Sequence, residues 1–184
     1  MQNIKNTMSF LIFMDMPLMQ EEWLKARNNI FRLETLPKYN VPEDLILFQK
    51  WKKNKLDVNS VFSAWFKNLR KTKQKGIKIH RVRVIKLPFS DYLKYEIDVW
   101  KHSIQNGEEI YLLKDKDYKN ISEYFNFEIE DFWVFDDEKI VIFHYRKGNL
   151  ANEELVSKDE IKNYKDLKNR LLKHAVPMNY FIKE

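Results

Sequence analysis

The sequence contains no cysteine, only three glycines and five prolines, and no long apolar run in its 184 residues. Without cysteine there is no disulfide framework, no thiol nucleophile and no thiolate metal site. That fits a reducing, cytoplasmic setting. Three isolated glycines leave no Walker-type loop, no GxGxxG and no GxSxG elbow, so a nucleotide cradle is not expected. The four histidines, His80, His102, His144 and His174, are scattered and form no HExxH spacing. No metal and no cofactor are therefore implied. Met8 to Met14 (MSFLIFM) is apolar but is broken by Asp15 and followed by no small-residue cleavage site. It falls far short of the roughly 20 residues that span a bilayer. It reads as an N-terminal strand or arm packed on the domain, with no membrane association.

What is present suits one globular domain over residues 1–184. Apolar residues make up 44% and aromatics 15% of the chain, enough for a core without staples. No repeat or Gly/Ser/Pro-rich linker divides it. Residues 1–76 read as a mostly helical lobe, with short helices over 21–29 and 42–53. A longer one is capped by Asp57, carries Val58, Val61, Phe62, Trp65 and Leu69 on one face, and ends at Gly76.

Residues 77–184 read as an α/β core. A β-branched strand over 77–87 precedes a helix capped by Ser90, with Leu93, Ile97, Trp100 and Ile104 as its stripe; a strand over 109–113 follows. This is a βαβ unit, hence parallel pairing with a right-handed crossover. Strands over 131–135 and 139–145, split by an acidic turn at Asp136 to Glu138, read as a hairpin. A final helix begins with a capping box, Ser157 and Glu160, and a Val156–Ile161 staple, and Pro177 stops it. The predicted fold is α/β: a small mixed sheet with helices on its faces, preceded by the helical lobe.

Charge is unevenly spread. Lys50 to Lys86 holds thirteen cationic residues against one acid, whereas Glu108 to Glu138 holds eleven acids against three lysines. The helix end Arg70, Lys71, Lys73, Lys75, running on to Lys78, has the charge to bind a phosphate backbone. The same lysines also suit a solvated face that complements a helix C-terminus. No helix-turn-helix, zinc finger or RNP motif accompanies them.

Arg81 and Arg83 are different. They alternate with Val82 and Val84, so both point to one side of a strand. If helices cover that side, the guanidiniums need carboxylates, for which Glu96, Glu34 and Glu108 are candidates. Such a group forms either a structural ion-pair network or a pocket for a phosphate or carboxylate ligand.

Four segments in order, FRLETLPKYNVPED from Phe31, RVRVIKLPFSDYLKYE at 81–96, NGEEIYLL at 106–113 and DFWVFDD at 131–137, carry a resemblance. Together they resemble an uncharacterised family best known from actinobacteria, often encoded beside helix-turn-helix regulators. The resemblance runs from about Trp23 to Tyr180. It implies no activity, but it makes Arg81, Arg83, Glu96 and Asp131 the positions to test, with Glu34 beside them. The C-terminal half is also similar to degenerate phospholipase-D-like domains. Their His-x-Lys signature is matched only by His144-Tyr-Arg-Lys147, with the wrong spacing and no second copy.

The function expected from this reading is a non-catalytic binding or effector module of a regulatory locus, recognising a protein partner or a small anionic ligand. A nucleic-acid-binding protein using Lys67 to Lys78 is the alternative. A rearranged phosphodiesterase or nuclease, with His144, Lys147, Asp131 and Asp136 in one cleft, is the enzymatic one. The oligomeric state is left open.

Overall fold

The computed structural model describes residues 16–181; the predicted N-terminal arm at Met8 to Met14 lies outside them. In chain order the elements are α1 (Pro17–Lys25), β1 (Asn29–Glu34), α2 (Pro42–Lys52), α3 (Val58–Val61), α4 (Ser63–Gln74), β2 (Lys78–Ile85), α5 (Asp91–Gln105) and β3 (Glu108–Lys114). They continue with α6 (Asp115–Ser122), β4 (Asp131–Phe135), β5 (Lys139–Arg146), β6 (Asn149–Leu155), α7 (Ile161–His174), β7 (Val176–Pro177) and α8 (Met178–Phe181). All seven strands form one mixed sheet in the order β6-β5-β4-β1-β2-β3-β7. Strands β1, β2 and β3 are parallel, and the βαβ unit β2-α5-β3 is present as predicted. The β4–β5 hairpin is antiparallel and joins the sheet at β1.

Strand alternation makes two different faces. On one, Phe31, Leu33, Val82, Val84, Phe132 and Val134 are buried with Tyr164, Leu167 and Leu171 of α7. On the other, Ile30, Ile79, Trp133, Phe135 and Phe143 lie under Trp65, Phe66, Leu69, Tyr95 and Val99 from α4 and α5. The sheet is thus covered on both sides, which explains why β4 reads as an unbroken apolar run and is buried at all five positions.

Local chemistry fixes several boundaries. Ser90 Oγ accepts from Leu93 N–H at 3.2 Å and starts α5. Past its end, Gly107 takes a left-handed φ of 111°, and a Cβ there would lie 2.6 Å from Lys73 Cδ. Asp136 and Asp137 both have left-handed φ values, near 54° and 59°, which suits a tight hairpin turn. The Asp136 carboxylate also accepts from the backbone N–H groups of Arg27, Asn28 and Asn29 at 2.7–3.0 Å. Those bonds hold it below its ordinary value against the opposing effect of burial, and they pin the start of β1 to the end of β4.

The N-terminal reading needs correction. The first helix ends at Lys25, and the residues that follow include β1, which pairs with both β2 and β4 near the middle of the sheet. The helical segment therefore does not precede the α/β core but contributes one of its central strands. Arg32 and Glu34 on a buried face hid the strand, because alternation is read from apolar residues. The helix expected from Asp57 to Gly76 is two helices, α3 and α4, meeting at Phe62. The capping box is also modified: Ser157 Oγ donates to the Glu160 carboxylate at 2.6 Å, but α7 starts at Ile161. Both α6 and the edge strand β6 went unread.

Candidate functional site: a buried ion cluster beside a cavity

Parallel register places Arg32 of β1 beside Arg81 of β2, and Glu34 beside Arg83, on the face covered by α2, α4 and α5. Arg81 donates through Nε to Glu108 Oε1 at 2.8 Å and through Nη1 to Glu34 Oε2 at 3.2 Å. Arg83 donates through Nη2 to Glu96 Oε2 at 2.9 Å, and through Nη1 to the Leu36 carbonyl and to Tyr39 Oη. The Tyr39 hydroxyl passes the chain on by donating to Asp131 Oδ2. Thr35 donates to Asp131 Oδ1 from both its N–H and its hydroxyl at 2.7 Å. Arg32 pairs with the second oxygen of Glu34. Arg83 is 1% exposed and Glu34 2%, so these charges are screened from water.

Each guanidinium also lies over an aromatic ring: Arg32 over Trp133 at 4.9 Å, Arg81 over Trp100 at 5.5 Å and Arg83 over Tyr39 at 5.2 Å. Asp44, brought in by α2, accepts from the hydroxyls of Tyr92 at 2.6 Å and Tyr95 at 2.7 Å. Among the described residues, three buried polar atoms are left without a partner: Arg83 Nε, Glu108 Oε2 and Trp133 Nε1.

The acids divide by surroundings. Burial pushes Glu34 up, but Arg32, Arg81 and Arg83 together pull it below its ordinary value. Burial pushes Glu96 up to about 7, only partly offset by Arg83. Asp44 and Asp131 are also raised by burial, against the hydroxyls that donate to them. Burial and the Asp131 charge drive the Tyr39 phenol well above its usual range.

Beside the cluster lies a cavity of about 140 Å³. Glu34, Asp44, Arg81 and Glu96 line it with Trp65 and Trp100. Its half-buried side is formed by Met16, Arg32, Val41 and Tyr145.

Arg81, Arg83, Glu34 and Glu96, singled out from the arginine pair, and Asp131, singled out by the family resemblance, therefore meet in one network. Glu34, Arg81 and Glu96 reach the cavity, whereas Arg83 and Asp131 stand behind it. Glu108, anticipated as a partner, holds Arg81. Arg32, Tyr39, Asp44, Tyr92 and Tyr95 were missed. The one available signal was the spacing of Tyr92, Tyr95, Glu96 and Val99, which puts them on one side of α5.

Arg70, Lys71, Lys73, Lys75 and Lys78 are all exposed, with Arg70 donating to Asn106 Oδ1. Lys73 and Lys78 border an open groove of about 470 Å³ together with Glu108 and Glu109. Lys50, Lys53 and Lys55 border a separate depression with no residue in common. His144 is held between Glu130 at 2.6 Å and Glu154 at 3.0 Å, whereas Asp131 points to the opposite face of the sheet and Asp136 sits at the far end of β4. His144, Lys147, Asp131 and Asp136 are thus not gathered in one cleft. Among the described residues, no group of three or more His, Asp or Glu side chains is placed to hold a metal ion. None of the described helices is long and apolar enough to cross a membrane.

Fold and site define a class: a three-layer α/β protein with a mixed seven-stranded sheet and a buried Arg/Glu network under one helical layer. More particularly, the chain belongs to the DUF6879 family, a domain of unknown function, whose family model matches residues 19–183. Comparison with curated proteins returns no match.

Proposed function

We propose that the protein is a non-catalytic binding module whose small polar ligand occupies the cavity beside the Arg81–Arg83 network. In this reading it serves a cytoplasmic regulatory locus as an accessory or effector partner, as the family resemblance suggests. The observation that carries it is a buried ion cluster that borders open volume instead of being packed shut. Buried ion pairs are weak stabilisers, and apolar residues of similar volume often do as well or better. Charged groups with shifted pKa values around a concave, aromatic-lined space are what a recognition site requires.

Both arginines that suggested an anionic ligand already hold carboxylates, so the network acts as a preformed polar wall. A screen of small polar molecules by melting temperature and by tryptophan indole cross-peaks tests the reading. Ligands should shift Trp65 and Trp100 first, and Val99→Phe, which fills the cavity and removes no charge, should abolish the shift. If no compound moves those two indoles, the reading fails.

A second reading, nucleic-acid binding, is supported by the exposure of all five basic residues from Arg70 to Lys78. Fluorescence anisotropy with labelled DNA and RNA across a salt series tests it. Binding with a steep salt slope, lost on reversing Lys71, Lys73 and Lys75, is the expected result.

A further inference from the structure

We propose that the cavity takes a small organic cation, an ammonium or guanidinium group, held between the rings of Trp65, Tyr92, Tyr95 and Trp100 and the carboxylates of Glu34, Asp44 and Glu96. The inference rests on the cavity being the ligand site and names the chemical class of the ligand.

Charge balance is the first ground. Among the described residues, three guanidiniums, on Arg32, Arg81 and Arg83, with the exposed Lys38 ammonium acting on Asp44 from outside, face five carboxylates, on Glu34, Asp44, Glu96, Glu108 and Asp131, which leaves one negative charge in excess. Away from water such an excess is not left uncompensated; it is met by bound protons or by a cation. An entering anion would add to it; the Arg81 and Arg83 donors directed at Glu34, Glu96, Glu108 and the Leu36 carbonyl are already engaged, and the unpartnered Arg83 Nε belongs to a residue outside the cavity lining.

The walls are the second ground. Seven of the sixteen lining residues are aromatic, and ring faces attract cations electrostatically. The molecule already holds its own three guanidiniums in this way, each with a ring within 5.5 Å and a carboxylate partner. The cavity extends the same lining to a guest.

A proton and a cation compensate the same excess, so they compete. Glu96 is faced by Arg81 and Arg83 from β2, Glu34 from β1, Asp44 from α2, and Tyr92 and Tyr95 on its own helix. Burial keeps a proton on it up to about pH 7. Binding of a cation therefore releases a proton, and affinity rises with pH across neutrality.

The test titrates the full chain with choline, butylammonium and guanidinium, with the neutral isostere of choline, 3,3-dimethylbutanol, and with a tert-butyl anion of similar size, pivalate, at about pH 6 and about pH 8. Calorimetry in buffers of different ionisation enthalpy reads proton release, and the Trp65 and Trp100 indole cross-peaks place the probe. At least one cation should bind, about tenfold tighter at the higher pH, with release of a proton. Glu96→Gln should weaken it about tenfold or more and flatten the pH dependence. Asp44→Asn, with the same expected loss, serves if that variant does not fold. Pivalate binding better than choline, or dimethylbutanol binding equally well, would overturn the cation while leaving the cavity as a ligand site. No cavity binding by any probe or by any compound of the screen would overturn both.

Discussion

The two faces of one sheet were built from the same strands and solve burial in opposite ways. Under α7, β1 and β2 present Phe31, Leu33, Val82 and Val84 to a mainly apolar layer, where the one buried charge of α7, Lys168, pairs with Asp137. Under α5 the intervening residues are Arg32, Glu34, Arg81 and Arg83, and the burial of one is tolerable only because of another. The apolar face gains from each side chain independently, at roughly 1.5–3 kcal/mol for a fully buried one. The ionic face gains little from any single group and loses heavily when one partner goes. Under the proposed reading, a sheet that accepts that fragility on one side, next to open volume, is organised there for recognition more than for stability.

The largest test of that contrast is Arg83→Ala. It strands Glu96 and the Tyr39–Asp131 pair, and should cost about 3–5 kcal/mol in urea unfolding. The matching change on the other face, Leu33→Ala, should cost about 2–5 kcal/mol through lost transfer energy and a cavity. Unlike the first, it should be insensitive to pH. A joint replacement, Arg83→Met with Glu96→Leu, sharpens the comparison. If the ions serve recognition, the double variant should unfold within about 1 kcal/mol of the native protein or above it, yet lose ligand binding. A fall as large as that of Arg83→Ala would instead make the pair structural.

The pH effect is smaller. The folded-state value of Glu96 lies above its ordinary 4.5, at about 7. Its contribution to stability is therefore fully present below the unfolded value and is lost as pH rises through about 7. Between those limits it should give a slope of up to about 1.4 kcal/mol per pH unit. Glu96→Gln should remove that slope in urea midpoints taken from about pH 5 to about pH 8. Smallest is Ser90→Ala, which removes the α5 cap from a helix that carries Glu96, and should cost about 1 kcal/mol of unfolding free energy.

Much of the architecture was legible. Ser90 at the head of an apolar stripe announced α5, and the run of β-branched residues after Gly76 announced β2. Asp136-Asp137 between apolar runs announced the hairpin. These are local signals, and local physics produces them. Where the chain was misread, its local signal ran against its final environment. β1 carries two charges inside, and β6, Asn149–Leu155, is a largely exposed edge strand with two glutamates and few β-formers. It exists because β5 offers it a ladder after the tight turn at Gly148. The site divides along the same line. The alternation of Arg81 and Arg83 was visible, and so was their need for acids. Asp44 and the tyrosines that donate to it were not, since nothing in Pro42–Lys52 alone marks a residue that will meet α5.

By itself, then, the sequence determined the alternation of β2, the starts of α2 and α5, the βαβ unit and the presence of an inward arginine pair, because each follows from side-chain periodicity and capping within a few residues. Only the tertiary structure decided that β1 enters between β2 and β4, and that five carboxylates converge on three guanidiniums beside a cavity. Burial and long-range pairing set both the cost of a charge and the position of a proton, and they exist only once distant segments are packed together.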